Sequence, residues 1–112
     1  MKMVVAIIRD SRLEAVKRAL DEHGYGAITV TDVRGRGEQR GLRQEYRGAE
    51  YEIDLLPRTR VEVAVHATAV ERVVDLVCEA ARTGEPGDGK VFVVPLEDAI
   101  RVRTGERGEG VL

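Results

Sequence analysis

Thr83-Gly84-Glu85-Pro86-Gly87-Asp88-Gly89-Lys90 runs directly into the apolar stretch that begins Val91-Phe92. Glycine lets successive backbone N–H groups turn toward one point, and such a row makes a cradle for an anion. A lysine at the end of the row adds a point charge suited to phosphate. The segment fits part of the phosphate-loop pattern, with Gly84 and then Gly89-Lys90, but Val91 stands where that pattern has Ser or Thr. The pattern also follows a strand and opens a helix, whereas this loop should leave a helix and open a strand. Two readings of these residues stay open: a phosphate cradle of another kind, and a Gly-rich turn. Arg101 and Arg103 alternate on an expected strand, so both guanidinium groups would share a side and suit a polyphosphate. Solvated edge-strand arginines are the plainer reading. Glu62 lies within an apolar strand and needs a polar partner or solvent. Asp88 is too acidic to touch phosphate directly and reads as a turn residue. His23, His66 and Cys78 lack metal-ligand or nucleophile company and read as structural, with His23 favouring a helix C-terminus.

The elements that must hold these residues follow from pattern. Met3 to Ile8 is almost continuously apolar and reads as a buried strand. Ser11 and Glu14 make a capping box for a helix whose apolar face is Leu13, Val16 and Leu20, stopped by Gly24. Ala27 to Val33 is a second strand. The same grammar returns with the strand Val61–Val65 and a capping box of Thr68 and Glu71. A helical stripe of Val70, Val73, Val74, Val77 and Ala81 follows, stopped by Gly84, and Val91–Leu96 is a fourth strand. A duplicated strand-helix-strand unit predicts an α+β, ferredoxin-like (βαβ)2 sandwich, an antiparallel sheet with two helices on one face. Met3–Ile8 and Val91–Val94 are apolar on both sides, and two helices cover one side only. Self-association is the simplest cover for the other. Between the halves, residues 35–56 carry Gly35, Gly37, Gly41 and Gly48, alternating charge and little apolar periodicity. A loop of this length in a small domain is functional or disordered. Residues 104–112, with three glycines, read as a mobile tail.

A chain of 112 residues is one domain, 1–112, with a modest core. The net charge of -2 argues for neither nucleic acid nor an acidic membrane surface as partner. Only 4% of residues are aromatic, with no tryptophan, which leaves no stacking platform for single-stranded nucleic acid. No apolar run is long enough to span a bilayer. A single cysteine and no signal-peptide plan make the cytosol the expected compartment.

Tyr46-Arg47-Gly48-Ala49-Glu50-Tyr51 resembles the hallmark hexapeptide of the nitrogen regulatory P-II signalling proteins. Thr83–Leu96, centred on Gly87-Asp88-Gly89-Lys90-Val91-Phe92-Val93, resembles the second hallmark, and Arg101–Glu106 the family's C-terminal arginine segment. The similarity covers nearly the whole chain without insertions. It implies a homotrimer of ferredoxin-like subunits, with ATP and ADP competing for clefts between neighbours and 2-oxoglutarate joining ATP through Mg2+. Residues 37–56 become the flexible T-loop, which docks onto ammonium transporters, nitrogen-assimilation enzymes or regulators, so contact with a membrane is indirect. The chain would signal and not catalyse. A nucleotide sensor indifferent to 2-oxoglutarate and a small ATPase are the alternatives, the latter disfavoured by the absence of a recognisable catalytic constellation.

By this resemblance Ile7, Thr29, Gly35, Gly37, Glu38, Gln39, Glu62, Ala64, Gly87, Asp88, Gly89, Lys90, Arg101 and Arg103 form the nucleotide site. Thr29, Glu62 and Ala64 fall around adenine and ribose, and Gln39 supplies an amide oxygen to Mg2+. Arg9, Gln39, Arg40, Gly41 and Arg58 are implied for 2-oxoglutarate, and Tyr51 for nucleotidylation or partner contact. Ala49 excludes the serine phosphorylation of some members. Three departures bear on 2-oxoglutarate and, less, on ATP/ADP discrimination: Arg58 replaces a common lysine, Glu38 a common arginine, and Arg36 a usual aromatic residue.

Overall fold

The computed structural model describes residues 1–37, the backbone of 43–46 and 49–52, and residues 55–112. Among the described residues, six strands and two α-helices follow in order: β1 Lys2–Ile8, α1 Leu13–Glu22, β2 Thr29–Gly35, β3 Arg43–Tyr46, β4 Ala49–Glu52, β5 Leu56–Val65, α2 Val70–Ala81 and β6 Gly89–Pro95. The main sheet has the order β2-β5-β1-β6, every pairing antiparallel. With two helices packed on one face, this is the ferredoxin-like sandwich expected from the duplicated pattern.

Alternation decides which side chains the helices cover. Val4, Ala6 and Ile8 of β1 lie opposite Val63, Val61 and Thr59 of β5. The valines, Ala6 and Ile8 join Val16, Leu20, Val70, Val73, Val77 and Ala81 in the core. Thr59 is the one buried polar side chain among the described residues, 2% exposed, and its hydroxyl donates to Asp10 Oδ1 at 2.8 Å. That bond removes the cost of burying the hydroxyl unpaired.

The helix ends are made differently from expectation. Neither capping box forms. Three-residue 3-10 turns, Asp10–Arg12 and Ala67–Ala69, lead into the helices, and no side chain caps either one. Arg12 N–H donates to Arg9 O at 3.0 Å and Ala69 N–H to His66 O at 2.9 Å. Leu13 N–H in turn donates to Asp10 O and Val70 N–H to Ala67 O, so backbone carbonyls take amides that Ser11 and Thr68 could have capped. At α1's end Gly24 N–H reaches Asp21 O and His23 Nδ1 lies 2.8 Å from Ala19 O, as its terminal position suggests. Helix α2 does not run to Gly84. It stops at Ala81 because Arg82 turns extended. Arg12 Nε and Nη2 donate to Ala80 O at 3.0 and 2.6 Å, satisfying a last-turn carbonyl from the neighbouring helix start.

Strand β5 begins five residues before Val61, at Leu56, which carries Arg58, Thr59 and Arg60 into the sheet. The long inter-half segment is not wholly irregular. β3 pairs with β4, Arg43 opposite Glu52 and Tyr46 opposite Ala49. The C-terminal arginines do not lie on a strand. Residues 102–104 form a turn, with Ile100 and Arg107 bridged across it. Arg101 N–H donates to Glu106 O at 2.9 Å, and Gly105 N–H to Arg101 O at 2.7 Å. These bonds close the chain on itself before a strand can extend. Beyond them, Glu109–Val111 forms a 3-10 turn where a mobile tail is expected.

Candidate functional site

The glycine loop sits at the end of the sheet where β6 starts beside the end of β1. Gly89 is paired with Ile8, and Lys90 with Ile7. Gly89 has φ +105°, and a Cβ there would lie 1.8 Å from the Ile7 carbonyl oxygen. Only glycine fits so close to a neighbouring strand. Gly87, at φ +96°, is bordered by two guanidinium groups: a Cβ would lie 3.2 Å from Arg9 Nη2 and 3.4 Å from Arg58 Nη2. The fold therefore brings Arg9, Arg58 and the loop together from three separate parts of the chain.

Asp88 organises the loop from within. It accepts hydrogen bonds from Thr83 N–H and Gly84 N–H, each at 2.9 Å, and from the Thr83 hydroxyl. It also takes Arg9 Nε at 3.1 Å, while Arg9 Nη2 donates to Pro86 O at 2.7 Å. The Thr83 hydroxyl and amide, then Gly84 N–H and Arg9, hold the Asp88 carboxyl far below the usual carboxylate range against an opposing effect of desolvation. The Lys90 side chain makes no hydrogen bond or ion pair among the described residues. The Asp88 carboxylate is thus consumed internally and the loop's lysine remains available. A pocket of about 210 Å³ lies behind it, with Cys78, Arg82, Gly89 and Lys90 in its wall.

The open sheet face continues from this loop. Across it Lys90, Ile7, Arg60 and Thr31 form one row, and Phe92, Val5, Glu62 and Thr29 the next. Thr29 and Glu62 are therefore direct cross-strand neighbours, with Ala64 two residues along β5. Glu62 has its polar partner in Arg60, Nε to Oε1 at 3.0 Å. Gly35 ends β2, opposite Leu56, and Gly37 lies just beyond. Arg101 pairs with Glu106 at 3.2 Å on the C-terminal turn. Arg103 stands on the same turn beside Val102, which is 99% exposed. No hydrogen bond or ion pair joins this turn to the glycine loop among the described residues. Glu38, Gln39, Arg40 and Gly41 lie outside the described residues, as does the side chain of Tyr51, whose backbone pairs with Gln44.

Arg60 and Thr83 were not anticipated. Arg60 was legible, because residues two apart on a strand share a face and Glu62 needed a partner. Nothing in the spacing of Thr83 and Asp88 announces their bond.

The model of the nitrogen regulatory protein P-II family matches residues 1–106. The chain belongs to the P-II family. Its similarity to "Nitrogen regulatory protein P-II 2" of Methanothermobacter thermautotrophicus is 49% identity over 109 residues, covering 97% of this chain and 95% of the relative. The P-II protein of Azospirillum brasilense is 48% identical over 108 residues, 96% of each chain. That of Rhodospirillum rubrum is 49% identical over the same length and coverage. P-II proteins are regulators of nitrogen metabolism and not enzymes, which sets aside the ATPase alternative. Among the described residues, no helix is long and apolar enough to cross a membrane.

Proposed function

We propose that this P-II protein is a cytoplasmic sensor that binds ATP or ADP at the glycine loop, reads 2-oxoglutarate beside it, and signals through residues 37–56. The observation that carries this reading is the convergence of Arg9 and Arg58 on Gly87, next to Lys90, whose side chain has no partner among the described residues, in a loop whose Asp88 carboxylate is paired with Arg9. Such a site favours an anion, and since the amides of Thr83, Gly84 and Glu85 are held inside the loop, those from Gly87 onward would face it. The pocket of about 210 Å³, walled by Ile8, Cys78, Ala81 and Arg82 on the helix side of the sheet, is small against the ~300–1,000 Å³ typical of ligand sites and does not extend over the open face. A nucleotide therefore needs a second wall. The open face offers the means, since Phe92 and Val94 lie uncovered there, Phe92 at 50% exposure. A homotrimer would cover that face and bring the Arg101–Arg103 turn of one subunit toward the loop of another.

Thr29, Glu62 and Ala64 would line the adenosine end, with Ile7 between base and phosphates and Gly35 and Gly37 close to the same cleft. Among the described residues no cluster of acidic or His/Cys side chains could hold a metal, and the Asp88 oxygens are already engaged. Mg2+ would come with ATP, held by phosphate oxygens, with the Gln39 amide oxygen as the protein ligand. Arg9 and Arg58, with Arg40 and Gly41, would take the carboxylates of 2-oxoglutarate. Targets would be ammonium transporters or nitrogen-assimilation enzymes, met by Arg43, Arg47 and Tyr51.

A sensor of nucleotide alone is the second reading, favoured by one observation: Arg9 is already bound by Asp88 and Pro86 O. Calorimetry with ATP, with and without Mg2+ and 2-oxoglutarate, separates the two. Binding of 2-oxoglutarate only in the presence of MgATP supports the first. ATP heat with no 2-oxoglutarate heat supports the second. No nucleotide heat refutes both.

A further inference from the structure

The geometry points to Thr83 as a positioning residue, acting through Asp88 to hold the glycine loop and Arg9 in their binding arrangement. The inference rests on the nucleotide reading above. Neither residue need touch the ligand. Both oxygens of Asp88 are spent on Thr83, Gly84 and Arg9, and Thr83 Oγ1 also accepts Glu85 N–H at 3.2 Å. The result is a noose from Thr83 to Asp88 in which the first residue's hydroxyl and amide are tied to the last residue's carboxylate.

Two consequences follow from that closure. The segment from Gly84 to Gly87 cannot swing away from Arg9, because Asp88 and Pro86 O grip two nitrogens of the same guanidinium. The Asp88 charge is offset by the Arg9 guanidinium at 3.1 Å and so adds little repulsion toward an anion. Pre-ordering of this kind lowers the entropy lost when an anion binds. A hydroxyl is required at position 83, since a methyl in its place would leave Asp88 Oδ1 to Arg9 Nε alone and Glu85 N–H without its acceptor. Serine should serve as well as threonine, because the bond uses Oγ alone.

The test compares Thr83→Val, Thr83→Ser, Asp88→Asn and Lys90→Ala by calorimetry with ATP and with adenosine, and by amide exchange over residues 83–90. The inference expects Thr83→Val and Asp88→Asn to weaken ATP binding roughly tenfold. Adenosine affinity stays unchanged, exchange at residues 83–85 accelerates, and Thr83→Ser remains within about twofold of the parent. Lys90→Ala weakens ATP as well. Normal ATP affinity in Thr83→Val and Asp88→Asn, with Lys90→Ala impaired, overturns the inference and leaves the nucleotide site standing. Equal losses for adenosine and ATP overturn it too, as the marks of general damage. Failure of Thr83→Ser to rescue removes the hydroxyl's role. Normal ATP binding by Lys90→Ala defeats the phosphate reading itself, and the inference with it.

Discussion

Substituting Gly89 by alanine should damage this protein more than a loop glycine ordinarily would. The added methyl would lie 1.8 Å from the Ile7 carbonyl oxygen and 2.9 Å from its carbon. A carbon and a carbonyl oxygen settle no closer than ~3.3 Å, so something must move by roughly 1.5 Å. What stands in the way is the backbone of β1, which cannot rotate aside as a side chain would. The start of β6 must lift from Ile8, losing a ladder bond worth about 1 kcal/mol. The φ of +105° adds ~1–3 kcal/mol for a residue with a Cβ. Together these predict a loss of about 2–4 kcal/mol, a large part of the ~5–15 kcal/mol that holds a domain folded. Lys90 is carried out of register with Ile7, so ATP affinity should fall more than ~10-fold as well. Urea unfolding and ATP calorimetry read the two effects. Gly84→Ala is the control: its φ is +90° but nothing lies within 4 Å, so it carries conformational strain alone. If Gly89→Ala proves no less stable than Gly84→Ala and binds ATP normally, the close approach of loop and strand is wrong.

Three further outcomes follow from the packing and the charges. Leu20→Ala, at a fully buried core position, should cost ~2–5 kcal/mol in denaturant unfolding; less than ~1 kcal/mol would put Leu20 outside the core. Asp88 has a folded pKa below its unfolded one, so its stabilising contribution is complete above the ordinary carboxylate range and is lost only as pH falls through the folded value. Its side-chain carboxyl NMR signal should therefore not titrate with a midpoint near ~3.9, where an unperturbed aspartate does; a midpoint there refutes the loop's bonding. Phe92→Glu on the open sheet face should shift the protein toward monomer in sedimentation and weaken ATP binding; an unchanged assembly shows that another surface joins the subunits.

The sheet and helix faces were legible because alternation and helical spacing leave little freedom: Val61, Val63 and Val65 can face only one way once Val4, Ala6 and Ile8 do. The helix starts were not, since Ser11 and Thr68 have the right spacing for capping while the 3-10 turns supply backbone acceptors first. Arg101-Val102-Arg103 has the alternation of a strand, yet three residues cannot distinguish a strand from one side of a turn closed by Arg101 and Gly105. The β3–β4 pair was hidden by charge, for Arg43–Glu52 lacks the apolar period that marks a buried strand and has only Gly48 between its arms as a signal. At the candidate site, glycine and lysine announced the loop by type. Arg9 and Arg58 reach it through the strand register of β1 and β5, and the Thr83–Asp88 bond through local folding that residue types do not encode.

The most direct measurement is calorimetric titration of ATP into the parent protein and into Lys90→Ala at matched assembly state. The account predicts saturable binding by the parent and a loss of at least ~10-fold in the variant, with adenosine binding equal in both. Equal ATP affinity in the two proteins would contradict the assignment of the Gly87–Lys90 loop as the phosphate site.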